Sequence, residues 1–293
     1  MTAVIQASAL SKRFRNTWAL RDVELTLPKG SVLGLVGPNG AGKTTLLKLL
    51  VDLLEPNEGE LTLFGLPAGH PDLRAKVGYL AQDHPLYRDF TITEMLRAGR
   101  VLNSRWDEDW AQARLAGLRL RPSKKIGTLS GGQQAQVALT ITLAARPDLL
   151  VLDEPVASMD PLARRDFMGT LMEVVAERET TVVISSHVVS ELERMCDHLA
   201  VLTNGRLRVA GETDALRSGH RLITCPVEDA ERVQDAYTVI DRTDTGRQST
   251  LLVRRDDGPA PQASWAHTTP DLEELVLGYL RGDTALTIDE AAT

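Results

Sequence analysis

The chain has 293 residues, 43% apolar and 25% charged, an ordinary globular composition with room for one large domain plus an appendage. Its 33 basic and 40 acidic residues leave a net charge of −7, which argues against a general nucleic-acid binder, whose affinity rests on neutralising phosphates. Two cysteines, Cys196 and Cys225, make no disulfide framework or metal-ligand spacing and read as free thiols in a reducing compartment.

The N-terminal Met-Thr-Ala-Val-Ile-Gln reads directly as a strand rather than a leader, and no apolar run nears the ~20 residues that cross a bilayer. Apolar positions alternate over 4–10, 22–27 and 60–64, which predicts an antiparallel sheet. Near-continuous apolar runs at 32–36, 149–152, 182–184 and 199–202 predict buried parallel strands. Helical patterns at 44–54, 132–145, 162–177 and 189–195 lie between them, and this alternation predicts an α/β fold with a parallel sheet.

Residues 37–45 read Gly-Pro-Asn-Gly-Ala-Gly-Lys-Thr-Thr, following one predicted strand and opening a predicted helix. They fit G-x-x-x-x-G-K-S/T, the loop that wraps nucleotide phosphates. Gly37, Gly40 and Gly42 let the backbone turn where a side chain would clash. Inward N–H groups, including those around Asn39, Ala41 and Thr45, then meet an anion at the positive end of the helix. Lys43 adds a full charge beside the β- and γ-phosphates, and the Thr44 hydroxyl is placed to ligate Mg²⁺.

Residues 92–145 interrupt the alternation with helical patterns at 92–101, 107–116 and 132–145, which predicts a helical insertion. Trp106 and Trp110, four apart, are expected to share one helix face and pack its core. Leu129-Ser130-Gly131-Gly132-Gln133 opens the last of these helices. Ser130 can cap it and the glycines expose N–H groups at its positive end, a second anion site unlike the first in position. Next comes Leu149-Leu150-Val151-Leu152-Asp153-Glu154-Pro155, with two carboxylates at a strand's carboxyl end, where ligands of open α/β sheets sit. Asp153 can hold Mg²⁺ through water, and Glu154 can orient or deprotonate an attacking water.

From about residue 218 the character changes, with strands at 221–224, 239–242 and 250–254, a helix near 228–236, a Gly/Pro/Ala-rich loop at 257–264 and an amphipathic helix at 271–281. The last dozen residues are acidic and expected to fray.

LSGGQ resembles the signature of ATP-binding-cassette ATPases, and the phosphate loop, signature and acidic strand stand in that family's order and spacing over about residues 3–215. The resemblance implies a P-loop NTPase fold with a mostly parallel central sheet, an antiparallel β subdomain, a helical insertion and a small C-terminal α/β appendage. The expected division is 1–217 for the ATPase domain, with the helical subdomain at about 88–146, and 218–293 for the appendage. It implies ATP with Mg²⁺, and two cassettes paired head to tail so that each ATP lies between one chain's phosphate loop and the other's signature residues Ser130, Gly131, Gly132 and Gln133.

The remaining family positions map as follows. Phe14 stands where an aromatic stacks on adenine, with Trp18 as a substitute. Gln82 resembles the glutamine that reaches Mg²⁺ and the water, Asp160 the loop that couples the two sites, and His187 the histidine on the γ-phosphate. Two departures stand out: Ser158 replaces a common glycine, and Gln134-Ala135-Gln136 occupies a stretch where many members carry an arginine. The function implied is the ATP-hydrolysing subunit of an exporter whose membrane permease is a separate chain, at the cytoplasmic face of the membrane. Asp83-His84-Pro85-Leu86-Tyr87 would offer Leu86 and Tyr87 to that permease. The alternative is a soluble clamp using the same ATPase on a nucleic acid, ribosome or other soluble partner; the acidic balance disfavours nucleic acid.

Overall fold

The computed structural model describes residues 3–282 apart from 158, 256–257, 259–260 and 263, so Ser158 and the acidic tail from 283 onward lie outside the described residues. The first half runs β1 (Ala3–Phe14), β2 (Thr17–Pro28), β3 (Val32–Val36), α1 (Lys43–Leu50), β4 (Glu58–Leu63), β5 (Leu66–Pro67), β6 (Val77–Leu80), α2 (Ile92–Leu102), α3 (Glu108–Gly117) and α4 (Gly131–Ala144). The second runs β7 (Leu149–Asp153), α5 (Pro161–Arg178), β8 (Thr181–Ser186), α6 (Val189–Leu192), β9 (His198–Thr203), β10 (Arg206–Glu212), α7 (Thr213–Ser218), β11 (His220–Pro226), α8 (Ala230–Ala236), β12 (Val239–Thr245), β13 (Gln248–Arg254), β14 (Ala266–Thr268) and α9 (Leu272–Arg281).

The strands form three sheets. An antiparallel sheet is ordered β2-β1-β4-β5, and a central sheet is ordered β10-β9-β3-β8-β7-β6. In the central sheet β3 runs parallel to β8 and β9, and β7 parallel to β6 and β8. β3, β7 and β8 are buried along their whole lengths, the physical reason for the apolar runs they carry. The third sheet is antiparallel, ordered β12-β13-β11-β14.

Two apolar layers cover the central sheet. On one, Leu46, Leu47, Leu49 and Leu50 of α1 pack with the antiparallel sheet. On the other, Leu139 and Leu143 of α4 and Phe167 and Leu171 of α5 close the core. That second core continues into Leu272, Leu275, Val276 and Tyr279 of α9, so the C-terminal helix shares it with Leu192 of α6 and Leu199 of β9. The other face of the third sheet carries its own cluster around Ile223, Val233, Leu251 and Trp265.

Three expectations are corrected, and two strands form where none was expected. The helix expected over 44–54 ends at Leu50, because Val51 leaves helical geometry and Asp52 turns left-handed with φ 57°. The helix expected over 189–195 is assigned only at Val189–Leu192. Trp106 is not on a helix with Trp110: Asp107 caps α3 by accepting from the Trp110 N–H, so Trp106 precedes the helix. Its indole N–H instead donates to Glu108 Oε2 at 2.7 Å, and both rings still pack into the core of the insertion. Finally, β10 and β14 form at 206–212 and 266–268, and β10 gives the mostly parallel sheet an antiparallel edge.

Candidate functional site

Strand register brings the site together. Val36 pairs with Ser186, Asp153 with Ser185 and Leu80 with Leu152, so four parallel strands end level. The residues that follow, Gly37, Glu154, His187 and the segment leading to Gln82, therefore emerge on one edge of the sheet. A cleft of about 750 Å³ opens there, lined by Pro38, Asn39, Gly40, Ala41, Gly42, Lys43, Thr44, Thr45, Gln82, Glu154, Ala157 and His187.

The glycines of the loop have separate reasons. A Cβ on Gly37 would lie 2.2 Å from the Leu202 carbonyl oxygen. Gly42 sits at φ 109°, with the Ala19 carbonyl oxygen 2.5 Å from where its Cβ would be. Gly40 faces open space, but its φ of 81° favours glycine. Gly42 is also the residue before α1, and no side chain caps that helix. By contrast α2, α4 and α9 each begin with a capping box. The first-turn N–H groups of α1 thus face the cleft at the positive end of the helix, an arrangement that binds anions.

Lys43 is buried, with Nζ donating to the Gly37 and Pro38 carbonyls at 2.6 and 3.2 Å and lying 3.5 Å from Glu154 Oε1. The other carboxylate oxygen of Glu154 lies 3.1 Å from His187 Nδ1. One carboxylate is therefore gripped between the loop lysine and the histidine after β8. Glu154 itself holds φ 44°, an unusual backbone for a residue with a side chain.

A residue the sequence reading missed holds this corner. Ser185 Oγ donates to Asp153 Oδ1 at 2.8 Å and accepts the Glu154 N–H at 2.9 Å. One hydroxyl thus fixes both acidic residues, and Asp153 is only 2% exposed. The signal was present, since Ser185 is the penultimate residue of a buried strand, two residues before His187, but only strand pairing reveals its partner. Burial, and next the negative charge of Asp153, push the Tyr79 hydroxyl up to about 12.

For a magnesium ion the donors fit: the Thr44 hydroxyl and the Gln82 amide line the cleft, and the Asp153 carboxylate ends the adjoining strand. Oxygen donors with a single carboxylate suit a hard cation that takes its remaining ligands from phosphate and water.

The structure leaves the other expected residues outside this cleft. Ser130 accepts the Gln133 N–H at 3.3 Å and its own N–H donates to Gln133 Oε1 at 3.1 Å. Gly131 is exposed, and a Cβ there meets nothing within 4 Å. Asp160 caps α5, with Oδ1 accepting from Leu162 and Ala163 at 3.0 Å each. Phe14 is 47% exposed beside the β1–β2 turn, with Lys12 Nζ 5.5 Å from its ring centroid. Arg13 lies over Trp18 instead, 5.3 Å from that ring.

The segment after Gln82 divides differently from expectation. Leu86 turns inward between two apolar clusters, while Tyr87 stays 66% exposed and pairs with Phe90 at 5.1 Å between ring centroids. His84 is buried, and its Nε2 has no hydrogen-bond partner among the described residues. Burial lowers the pKa of that imidazole.

Known proteins resemble this chain as follows. The family described as ABC transporter matches residues 20–157, and one described as AAA domain, putative AbiEii toxin, Type IV TA system matches 124–193. The ABC transporter ATP-binding protein YtrB of Bacillus subtilis (strain 168) is 32% identical over 215 residues, 73% of this chain and 74% of the relative. The Nod factor export ATP-binding protein I of Cupriavidus pinatubonensis (strain JMP 134 / LMG 1197) is 31% identical over 297 residues, 94% of this chain and 90% of the relative. A solved structure described as the ATP-binding subunit of an ABC transporter superposes with a TM-score of 0.66 at 28% identity, covering 73% of this chain and 92% of that one.

Proposed function

The chain belongs to the ABC transporter ATP-binding family and is an ATPase, and on that premise we propose that it powers an exporter by acting on a separately encoded membrane permease. The proposed division of labour is 1–217 for hydrolysis and 218–293 for an appendage that closes the core beside α6. The observation that carries the hydrolytic reading is the Lys43–Glu154–His187 cluster at the mouth of an uncapped helix.

In this reading the N–H groups of the 37–45 loop and Lys43 Nζ take the β- and γ-phosphate oxygens of ATP, and Phe14 stacks on the adenine. Thr44, Gln82 and Asp153 would hold magnesium, which would supply positive charge to offset that of the phosphates. Glu154 accepts a proton from water as its oxygen attacks the γ-phosphorus in line; the bond to the β-bridging oxygen breaks, leaving ADP and phosphate. His187 holds Glu154 through Oε2 and reaches the γ-phosphate. General-base help of this kind is worth about 10²–10⁴-fold.

Ser130, Gly131, Gly132, Gln133 and Asp160 act on the nucleotide of a second cassette, identical or related. They are outside this chain's own cleft, and the bare Gly131 backbone is open to an approaching phosphate. Pairing closes on ATP and hydrolysis reopens it, a clamp that moves the permease. One observation favours export: the Nod factor export relative matches across nearly the whole chain, appendage included. Tyr87 and Phe90 offer an exposed aromatic pair for the permease. No helix among the described residues is long and apolar enough to cross a membrane; in this reading the spanning part is the permease chain. Co-purification of the tagged chain from membranes is the test: a polytopic protein retained with it supports the reading, and its repeated absence ends it.

A further inference from the structure

We propose that Arg114 is a positioning residue for ATP hydrolysis, holding the Ser130–Gln133 turn and the Asp160 turn together as one rigid body through Gln136. The inference rests on the two-chain reading above, in which both turns face a partner's nucleotide.

Gln136 lies in the second turn of α4 and is 5% exposed. Here a guanidinium arrives from another helix. Arg114 Nη2, on α3, donates to Gln136 Oε1 at 2.7 Å. Gln136 Nε2 donates in turn to the Ala163 carbonyl of α5 at 3.4 Å, the longest link. The Ala163 N–H donates to Asp160 Oδ1 at 3.0 Å. A continuous path of polar contacts therefore runs from α3 through α4 to the cap of α5.

Packing reinforces the path. The first turns of α4 and α5 touch so closely that a Cβ on Gly132 would lie 3.4 Å from Ala163 Cβ. Movement of one turn must carry the other. Burial pushes the Arg114 pKa down, and Glu173 and Asp166 of α5 oppose that shift. Arg114 Nε is buried with no hydrogen-bond partner. A desolvated cation with one donor unmet is costly in an ordinary helix contact, and the geometry gives it a compensating task.

The two turns lie C-terminal to Arg114 in sequence, on other helices, and neither lines the 37–45 cleft of the same chain. Loss of Arg114 should therefore leave nucleotide binding to a single chain intact and weaken the assembled site. Misplacement of a reacting group by about 1 Å can cost up to 10²-fold in rate.

The experiment compares wild type, Arg114→Ala and the double variant Arg114→Met/Gln136→Leu in the full chain. The double variant replaces both polar partners with apolar groups of similar shape, a change that is close to neutral for folding. Three quantities are read: kcat, affinity of the dilute single chain for a fluorescent ATP analogue, and thermal midpoint. The expected result is a fall in kcat of about ten-fold in both variants, with affinity within about two-fold of wild type and the double variant's midpoint near wild type. Wild-type kcat in the double variant overturns the inference, as does an equal loss of affinity. If wild-type turnover per chain proves independent of protein concentration, the two-chain reading falls and this inference with it.

Discussion

Glu154 is held in a left-handed backbone conformation by the Ser185 hydroxyl, and strain of this sort costs about 1–3 kcal/mol at a residue bearing a side chain. The strain places its carboxylate between Lys43 and His187. Glu154→Gln keeps the shape and removes the base, so turnover should fall about 10²–10⁴-fold while ATP still binds; steady-state phosphate release and equilibrium binding measure the two separately. Gly131 makes the opposite case, because its side-chain position is empty within the chain. Gly131→Ala should leave the thermal midpoint at or above wild type, alanine being about 1 kcal/mol the better helix former, yet lower turnover at least ten-fold if a partner's phosphate must approach that backbone. Gly42→Ala should instead fail within the chain, since its φ is 109° and the Ala19 carbonyl blocks a Cβ at 2.5 Å. A destabilisation of about 1–3 kcal/mol in denaturant unfolding is expected.

At the scale of elements, most of the fold was readable because local chemistry and burial agree. Thr91 with Glu94, Ser130 with Gln133 and Asp271 with Glu274 form the capping boxes of α2, α4 and α9, each visible in sequence as a polar residue three before its partner. The buried strands announced themselves by unbroken apolar runs. β14 could not, since all three of its residues are exposed and it exists only by pairing with β11. β10 carried a legible alternation in Leu207 and Val209, overshadowed by the apolar run before it. The role of α9 was illegible, because an amphipathic helix does not say what it packs on. Its Leu275 proves fully buried in the core that reaches Leu192 of α6, just after His187. Leu275→Ala should cost about 2–5 kcal/mol, seen as a lower denaturation midpoint with an unchanged slope.

For the molecule as a whole, the chemistry of the cleft was legible because its residues come in contiguous motifs that strand register then aligns. Ser185 and Arg114 escaped notice because each acts across elements, through contacts that sequence spacing does not encode. Stability at high pH is a whole-molecule property as well. Burial pushes the Cys196 thiol from 9.0 to about 12, next aided by Asp197, and Tyr79 from 10.0 to about 12. Both groups are kept protonated by the fold, so the unfolded chain releases its protons first as pH rises. The contribution is complete below pH 9 and drains away between 9 and 12; thermal midpoints should fall across that window, and less steeply in Cys196→Ala.

The central claim is that each ATP is hydrolysed between two chains, because the phosphate loop with its carboxylate and the exposed Ser130–Gln133 turn do not share one cleft. Turnover per chain, measured against protein concentration at saturating magnesium–ATP, tests it most directly. The account expects that rate to collapse on dilution as pairs separate, and to recover on concentration. A rate per chain that stays constant down to concentrations where the ATP-saturated protein is strictly monomeric would contradict it.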